Sequence, residues 1–289
     1  MNLARMIIMN VACIVAGLSL VMAQDSLRLP VDSISASQES LKNIIPDSAY
    51  IAMAADSSWW TRKVVNPAFG VGEYLEFGLA YGIISAGTAT MEIPDTILYK
   101  GRWCYHIKTL ATSGDFISTF FKVRDTVESY IDKNGIFTYY FRKHLREGGY
   151  KIDRITEFDQ QMHLAITGKD TIPTYAFVQD VLSSLYYLRT QQLVPGVDVL
   201  IDNHIDKKNY PLRVIVHGKE KTEVPAGKFN CVIVEPVMRY EGIFKAKGKI
   251  KIWLTDDQYK MPVKMQTEVF LLGSISAKLK KYTYGKSAI

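Results

Sequence analysis

The stretch QDVLSSLYYLRTQQLVPG, Gln179 to Gly196, decides the fold, because it is the one convincing helix in a chain that otherwise alternates like strand. Val178, Val181, Leu182, Leu185 and Leu193 recur at spacings of three, four and seven, which places them on one helical face. Asp180 in the first turn and Arg189 in the last match the helix dipole at both ends, and Pro195-Gly196 stops the helix. The pattern predicts a helix over about 178–192 lying on a sheet, with Tyr186 and Arg189 reaching the concave side.

Outward from that helix the period is two. Glu73, Leu75, Phe77, Leu79, Tyr81 and Ile83 alternate against Glu76, Gly78, Ala80 and Gly82. Strands are predicted at Trp103–Thr112, Phe116–Ile131, Ile136–Leu145, Tyr150–Phe158 and Met162–Thr167. After the helix they recur at Val197–Ile205, Tyr210–Gly218, Phe229–Met238, Gly248–Leu254, Val263–Leu272 and Ile275–Tyr282. Asn134-Gly135 signals a tight hairpin turn, and VPAGKF a turn in which Gly227 supplies positive φ. About a dozen strands joined mostly by short turns make an antiparallel meander. The expected fold is mainly β: a half-barrel or a curled barrel with one covering helix. No repeat of solenoid or propeller length is visible.

The N-terminus reads as a targeting segment. Arg5 precedes an apolar run from Met6 to Met22, and Val21-Met22-Ala23 offers small residues for cleavage. Residues 1–23 are therefore expected to be a signal peptide, 24–66 a flexible leader anchored by Trp59-Trp60, and 67–289 a single β-rich domain. The segment itself predicts export. No later stretch has the roughly 18 unbroken apolar residues of a membrane helix. The balance of 35 basic and 29 acidic residues, a net +6, permits attraction to an anionic envelope surface and does not call for nucleic acid. Cys104 shares a strand face with His106 and Lys108, whereas Cys231 shares one with Phe229 and Ile233, so two free thiols are expected rather than a disulfide.

The segments GEYLEFGLAYGIISAG, FFKVRDTVESYID, QDVLSSLYYLR, VPAGKF and IWLTDDQYKMPVKM follow one another in an order that resembles the bacterial domain-of-unknown-function family 3108. The resemblance covers about Gly72 to Leu279. It implies an exported protein of the periplasm or envelope of a Gram-negative bacterium and brings no established activity. The layout of strands plus covering helix is also similar to LolA-type lipoprotein-carrier half-barrels, and fold analogy alone transfers no function.

Asp125 falls on the same face as Val123, Val127 and Ile131, where a lone carboxylate costs several kcal/mol unless it is paired or protonated. Arg154 and Arg189 are its candidate partners, in a clamp beneath the helix or a headgroup contact. Asp256-Asp257 reads as a turn rather than a catalytic pair, because glycosidase carboxylates face each other across a substrate. The five histidines lack zinc spacing, and no nucleophile elbow, dinucleotide fingerprint or P-loop occurs, so no cofactor, metal or catalytic residue is expected. Lys245, Lys247, Lys249 and Lys251 share one face as a candidate basic patch for an anionic envelope surface or lipid headgroups. The leading expectation is a non-enzymatic protein holding a lipid or other hydrophobic ligand, with Tyr81, Trp103, Asp125, Arg154, Tyr186 and Arg189 as candidate ligand residues. The alternatives are an envelope scaffold with a protein partner and, weakest, an exported hydrolase.

Overall fold

A computed structural model describes residues 61–238, 250–269 and 273–286. The expected signal peptide, residues 24–60 of the expected leader, and Lys245, Lys247 and Lys249 of the basic patch lie outside the described residues.

The first wing is built from β1 (Tyr74–Tyr81), β2 (Ile84–Tyr99), β3 (Arg102–Ser113), β4 (Arg124–Asp132), β5 (Thr138–Glu147), β6 (Tyr150–Asp159), β7 (Leu164–Thr167) and β8 (Asp170–Pro173). A one-turn helix, α1 (Asp115–Ser118), sits between β3 and β4. The longer helix, α2 (Val181–Thr190), follows β8. Next come β9 (Val199–Ile201), a small pair β10 (His204–Ile205) and β11 (Lys208–Asn209), and β12 (Leu212–Val224). The second wing is completed by β13 (Gly227–Met238), β14 (Ile250–Thr255), β15 (Pro262–Val269) and β16 (Gly273–Thr283).

Fourteen strands form one antiparallel sheet in the order β8-β7-β6-β5-β4-β3-β2-β1-β16-β15-β14-β13-β12-β9. The sheet is not closed, and its edges are the short strands β8 and β9. This order explains the longer helix. The chain starts in the middle of the sheet at β1 and builds outward to one edge. It must then cross once to the far edge before the second wing can return to β1. Residues 174–198 make that crossing, and α2 lies within them.

Alternation puts Leu75, Phe77 and Leu79 of β1 and Met91 and Ile93 of β2 on the inner face with Tyr105 and Ile107 of β3, all buried. Register shifts at Glu76/Phe77, Leu79/Ala80, Glu92/Asp95, Tyr130/Ile131, Val216/Lys219 and Trp253/Leu254 bend the strands and curl the sheet. Close strand approach fixes one glycine: a Cβ on Gly87 would lie 2.0 Å from the Thr112 carbonyl oxygen.

One local expectation is corrected. The strand expected from Phe116 to Ile131 begins only at Arg124. Its first part folds as α1, where Ser113 and Ser118 hydroxyls bond at 2.7 Å and Thr119 Oγ1 donates to the Asp115 carbonyl at 3.1 Å, so local side chains hold the backbone out of the ladder. In the β4–β5 turn, the positive φ falls on Ile136 (49°) rather than on Gly135. Gly135 is needed for space, because a Cβ there would meet the Phe137 ring at 2.2 Å. Gly227 does take the expected positive φ, 136°.

Candidate functional site

The concave side of the sheet was the expected ligand cavity, and α2 occupies it. Val181, Leu182, Leu185, Tyr186 and Leu188 are buried, and so are Ser183, Ser184 and Arg189. A helix buried on every side can keep polar residues only if each finds a partner. Asp180 caps the N-terminus: its Oδ1 accepts from Leu182 and Ser183 amides at 2.7 and 2.9 Å, and the Asp180 amide donates to Ser183 Oγ at 2.8 Å. Ser129 of β4 donates to the other carboxylate oxygen at 2.5 Å, and Asn203 Nδ2 donates to the Asp180 carbonyl at 3.3 Å and to Ser184 Oγ. Burial pushes the Asp180 carboxyl up, and these hydrogen bonds oppose it.

The other end is held by charge. Arg189 donates through Nη1 and Nη2 to the two oxygens of Glu73 at 2.8 and 2.6 Å. Its remaining donors reach the Ala68 carbonyl at 3.1 Å and the Tyr259 carbonyl at 3.2 Å. Tyr186 adds its hydroxyl to Glu73 at 3.1 Å. Its ring meets Phe69 edge-on at 4.8 Å between centroids, and Phe69 meets Tyr105 at 5.4 Å. Burial and then the Glu73 charge push the Tyr186 hydroxyl up, so it stays a neutral donor. Burial works against the Arg189 charge, and Glu73 more than offsets it. Below α2, a gap lined by Leu185, Leu188, Leu212, Val214, Pro236 and Ile252 among others holds about 10 Å³. That is at or below the room one water requires.

The expected Asp125–arginine clamp is therefore corrected. Asp125 is buried on the inner face as its neighbours implied, but neither arginine reaches it. Its Oδ1 accepts the Arg146 amide at 2.7 Å, and the buried carboxyl of Glu147, bridged to Val123, is its neighbour. Burial pushes the Asp125 carboxyl up. Arg154 instead pairs with Asp206 at 2.7 Å, as Lys143 does at 2.6 Å. Burial alone would raise the Asp206 carboxyl, but these two cations hold it below the usual range. Trp103 is 57% exposed at the start of β3 and does not line the concavity. Tyr81 packs half-buried at the end of β1. Lys251 is exposed on β14.

Asp257 Oδ1 accepts from Tyr259 and Lys260 amides at 2.9 and 3.1 Å, which makes the Asp256-Asp257 segment a turn. Cys104 and Cys231 are both free and buried, and burial pushes their thiols up to about 12 and about 11, far from a reactive thiolate. Cys104 lies with Phe137 and Tyr139 in a satellite cluster apart from the main core. A surface recess of about 540 Å³ opens beside β6, lined by Arg142, Asp153, Arg154 and Asp170 with Lys169 and Lys207. Its charges largely answer one another, through Arg142–Asp153, Arg154–Asp206 and Lys207–Asp170. The residue that sequence reasoning missed is Glu73. It alternates with Leu75 and Phe77, so a carboxylate on the apolar face was already visible.

The model of the family described as "Protein of unknown function (DUF3108)" matches residues 76–280. No curated protein matches the chain. Among solved structures, a β-barrel-like protein of domain of unknown function DUF1849 from Brucella abortus is similar, with a TM-score of 0.52 and 11% identity, over 76% of this chain and 100% of that one. That likeness concerns the fold alone. A putative lipoprotein from Parabacteroides distasonis follows, with a TM-score of 0.35 and 9% identity, over 77% and 99% of the two chains. A putative exported protein with a YmcC-like fold from Bacteroides fragilis has a TM-score of 0.30 and 11% identity, over 76% and 99%.

Proposed function

The chain belongs to the DUF3108 family, and we propose that it is a non-enzymatic protein exported to the cell envelope, working as an interaction module through its outer surface around a filled core. The observation that carries this reading is α2, whose side chains are almost all buried against the sheet, whose gap towards Leu212 and Ile252 holds about 10 Å³, and which is tied at both ends by buried polar groups. Export is supported by the apolar run after Arg5 with its small-residue exit. The absence of catalysis is supported by carboxylates, thiols and histidines that serve turns, pairs and core.

A second reading places a lipid or other hydrophobic ligand in the concavity. It is favoured by the curled sheet with an apolar inner face, and it requires α2 to leave. Native mass spectrometry of protein purified from its own envelope, with lipid extraction, separates the two. A lipid-free chain is expected. One lipid retained per chain, lost on a substitution inside the concavity such as Leu185→Trp in a variant that still folds, would establish the second reading and remove the first.

A further inference from the structure

One end of the half-barrel carries large apolar side chains that the fold does not use. Ile83 at the tip of the β1–β2 hairpin is 103% exposed, and Ile84 beside it is also exposed. Phe116 and Phe120 of the α1 turn are 70% and 74% exposed. Both features lie at the same end: the Gly114 amide donates to the Ala86 carbonyl at 2.9 Å, so α1 starts three residues, about 10 Å of strand, from Ile83.

The α1 turn is a rigid mount. Gly148 of the β5–β6 hairpin donates to the Lys122 carbonyl at 2.8 Å, and Phe121 packs so closely on Gly148 that a Cβ there would lie 2.8 Å from its ring. The Val123 amide donates to Ser113 Oγ at 2.9 Å. Phe116 and Phe120 meet edge to face at 5.8 Å, i and i+4 on one side, facing solvent. Holding two phenyl rings and two isoleucines in water is unfavourable for an isolated protein.

Their shape and charge point to the occupant. The side chains stand on two turns, the isoleucines on one and the paired rings on the other, and none lines either recess described above, so a fluid surface fits them better than a folded partner. Lys122 and Arg124, just past α1, are exposed and take part in no ion pair among the described residues. Lys278, across β16 from Gly78, is exposed as well. Asp115 is the opposing charge in α1. Aromatic and aliphatic tips flanked by cations match the interface of an anionic bilayer, where rings enter the headgroup boundary and lysines and arginines meet phosphates.

We propose that this rim, Ile83, Ile84, Phe116 and Phe120 with Lys122 and Arg124, docks the protein on an anionic lipid bilayer. The proposal names the partner of the outer surface and rests on the reading that the working face is outside. The test is co-sedimentation of purified protein with phosphatidylglycerol–phosphatidylethanolamine vesicles, against phosphatidylcholine vesicles. Binding should prefer the anionic vesicles and fall with salt. The Phe116→Ser/Phe120→Ser double variant should weaken it by about tenfold or more, and Lys122→Glu/Arg124→Glu should abolish the preference for anionic lipid. All four side chains are exposed, so unchanged thermal melting confirms that the variants fold. A Phe116→Trp variant should show more fluorescence quenching by brominated lipid than the four native tryptophans of wild type give. Failure of wild type to bind, or equal binding by the phenylalanine double variant, would overturn the proposal. So would loss of a co-purifying protein by that variant with vesicle binding intact. A lipid extracted from the concavity would count against the filled-core reading and leave the rim result as measured, so the two failures are distinguishable.

Discussion

Glu73 and Asp125 show how two buried carboxylates on inner strand faces are handled differently. Glu73 meets a full cation, Arg189, with both oxygens engaged. Asp125 has a peptide amide and a second carboxyl, Glu147, and burial pushes it up. A group whose pKa is raised by folding contributes stability that is present below its unfolded value and lost as pH rises through the folded one. The Asp125 contribution should therefore fall as pH climbs above the ordinary aspartate value of 3.8, opposite in sign to that of Asp206, which folding holds low. The stability of wild type relative to Asp125→Asn should fall over the same range, as read from urea midpoints across mildly acidic to neutral pH. A difference that does not change with pH would contradict the raised Asp125 carboxyl. That Asp125 is buried was legible from the alternation with Val123 and Val127. Its partners were not, because one is a backbone amide and the other, Glu147, lies across a register that sequence does not state.

At the scale of elements, α2 was legible in type and place but not in environment. The apolar stripe predicted a helix over 178–192 lying on a sheet, and a helix forms over Val181–Thr190. A stripe suggests one buried face, whereas here Ser183, Ser184 and Arg189 are buried as well. Ala68 and Glu73 cover Arg189, and Asn203, beyond the helix, covers Ser184, and neither stretch has a periodic signature. The two clamps differ in strength. Arg189→Met leaves Glu73 buried without its cation and should cost about 3–5 kcal/mol. Asp180→Ala removes a cap and should cost about 1–2 kcal/mol. Adding Glu73→Gln to Arg189→Met should recover part of the loss, because no bare charge is then left inside. Chemical denaturation of the four proteins checks this, and a loss for Arg189→Met below that for Asp180→Ala would contradict the geometry. The strand expected over Phe116–Phe121 failed for a related reason. Its alternation is real, but Asp115, Ser118 and Thr119 supply local hydrogen bonds that compete with the ladder. The displaced phenylalanines are those that now stand at the rim.

At the scale of the molecule, the meander in two wings and its long crossing helix follow from one topological fact: β1 lies in the middle of the sheet. Sequence gives strand count and turn positions, which were enough for a half-barrel or curled barrel. The pairing of β1 with β16 joins residues about 200 apart in the chain and leaves no local trace. That pairing makes residues 174–198 the only link between the two edges and turns α2 from a surface lid into part of the core. The central claim is that this core is filled and does not open on its own. Native-state hydrogen exchange of the α2 amides from Leu185 to Leu188, compared with Leu75 to Leu79 of β1, tests it most directly. The account predicts that both sets exchange only through global unfolding, with the same free energy and the same denaturant dependence. Exchange of α2 through a separate, lower-energy opening while β1 stays protected would contradict it.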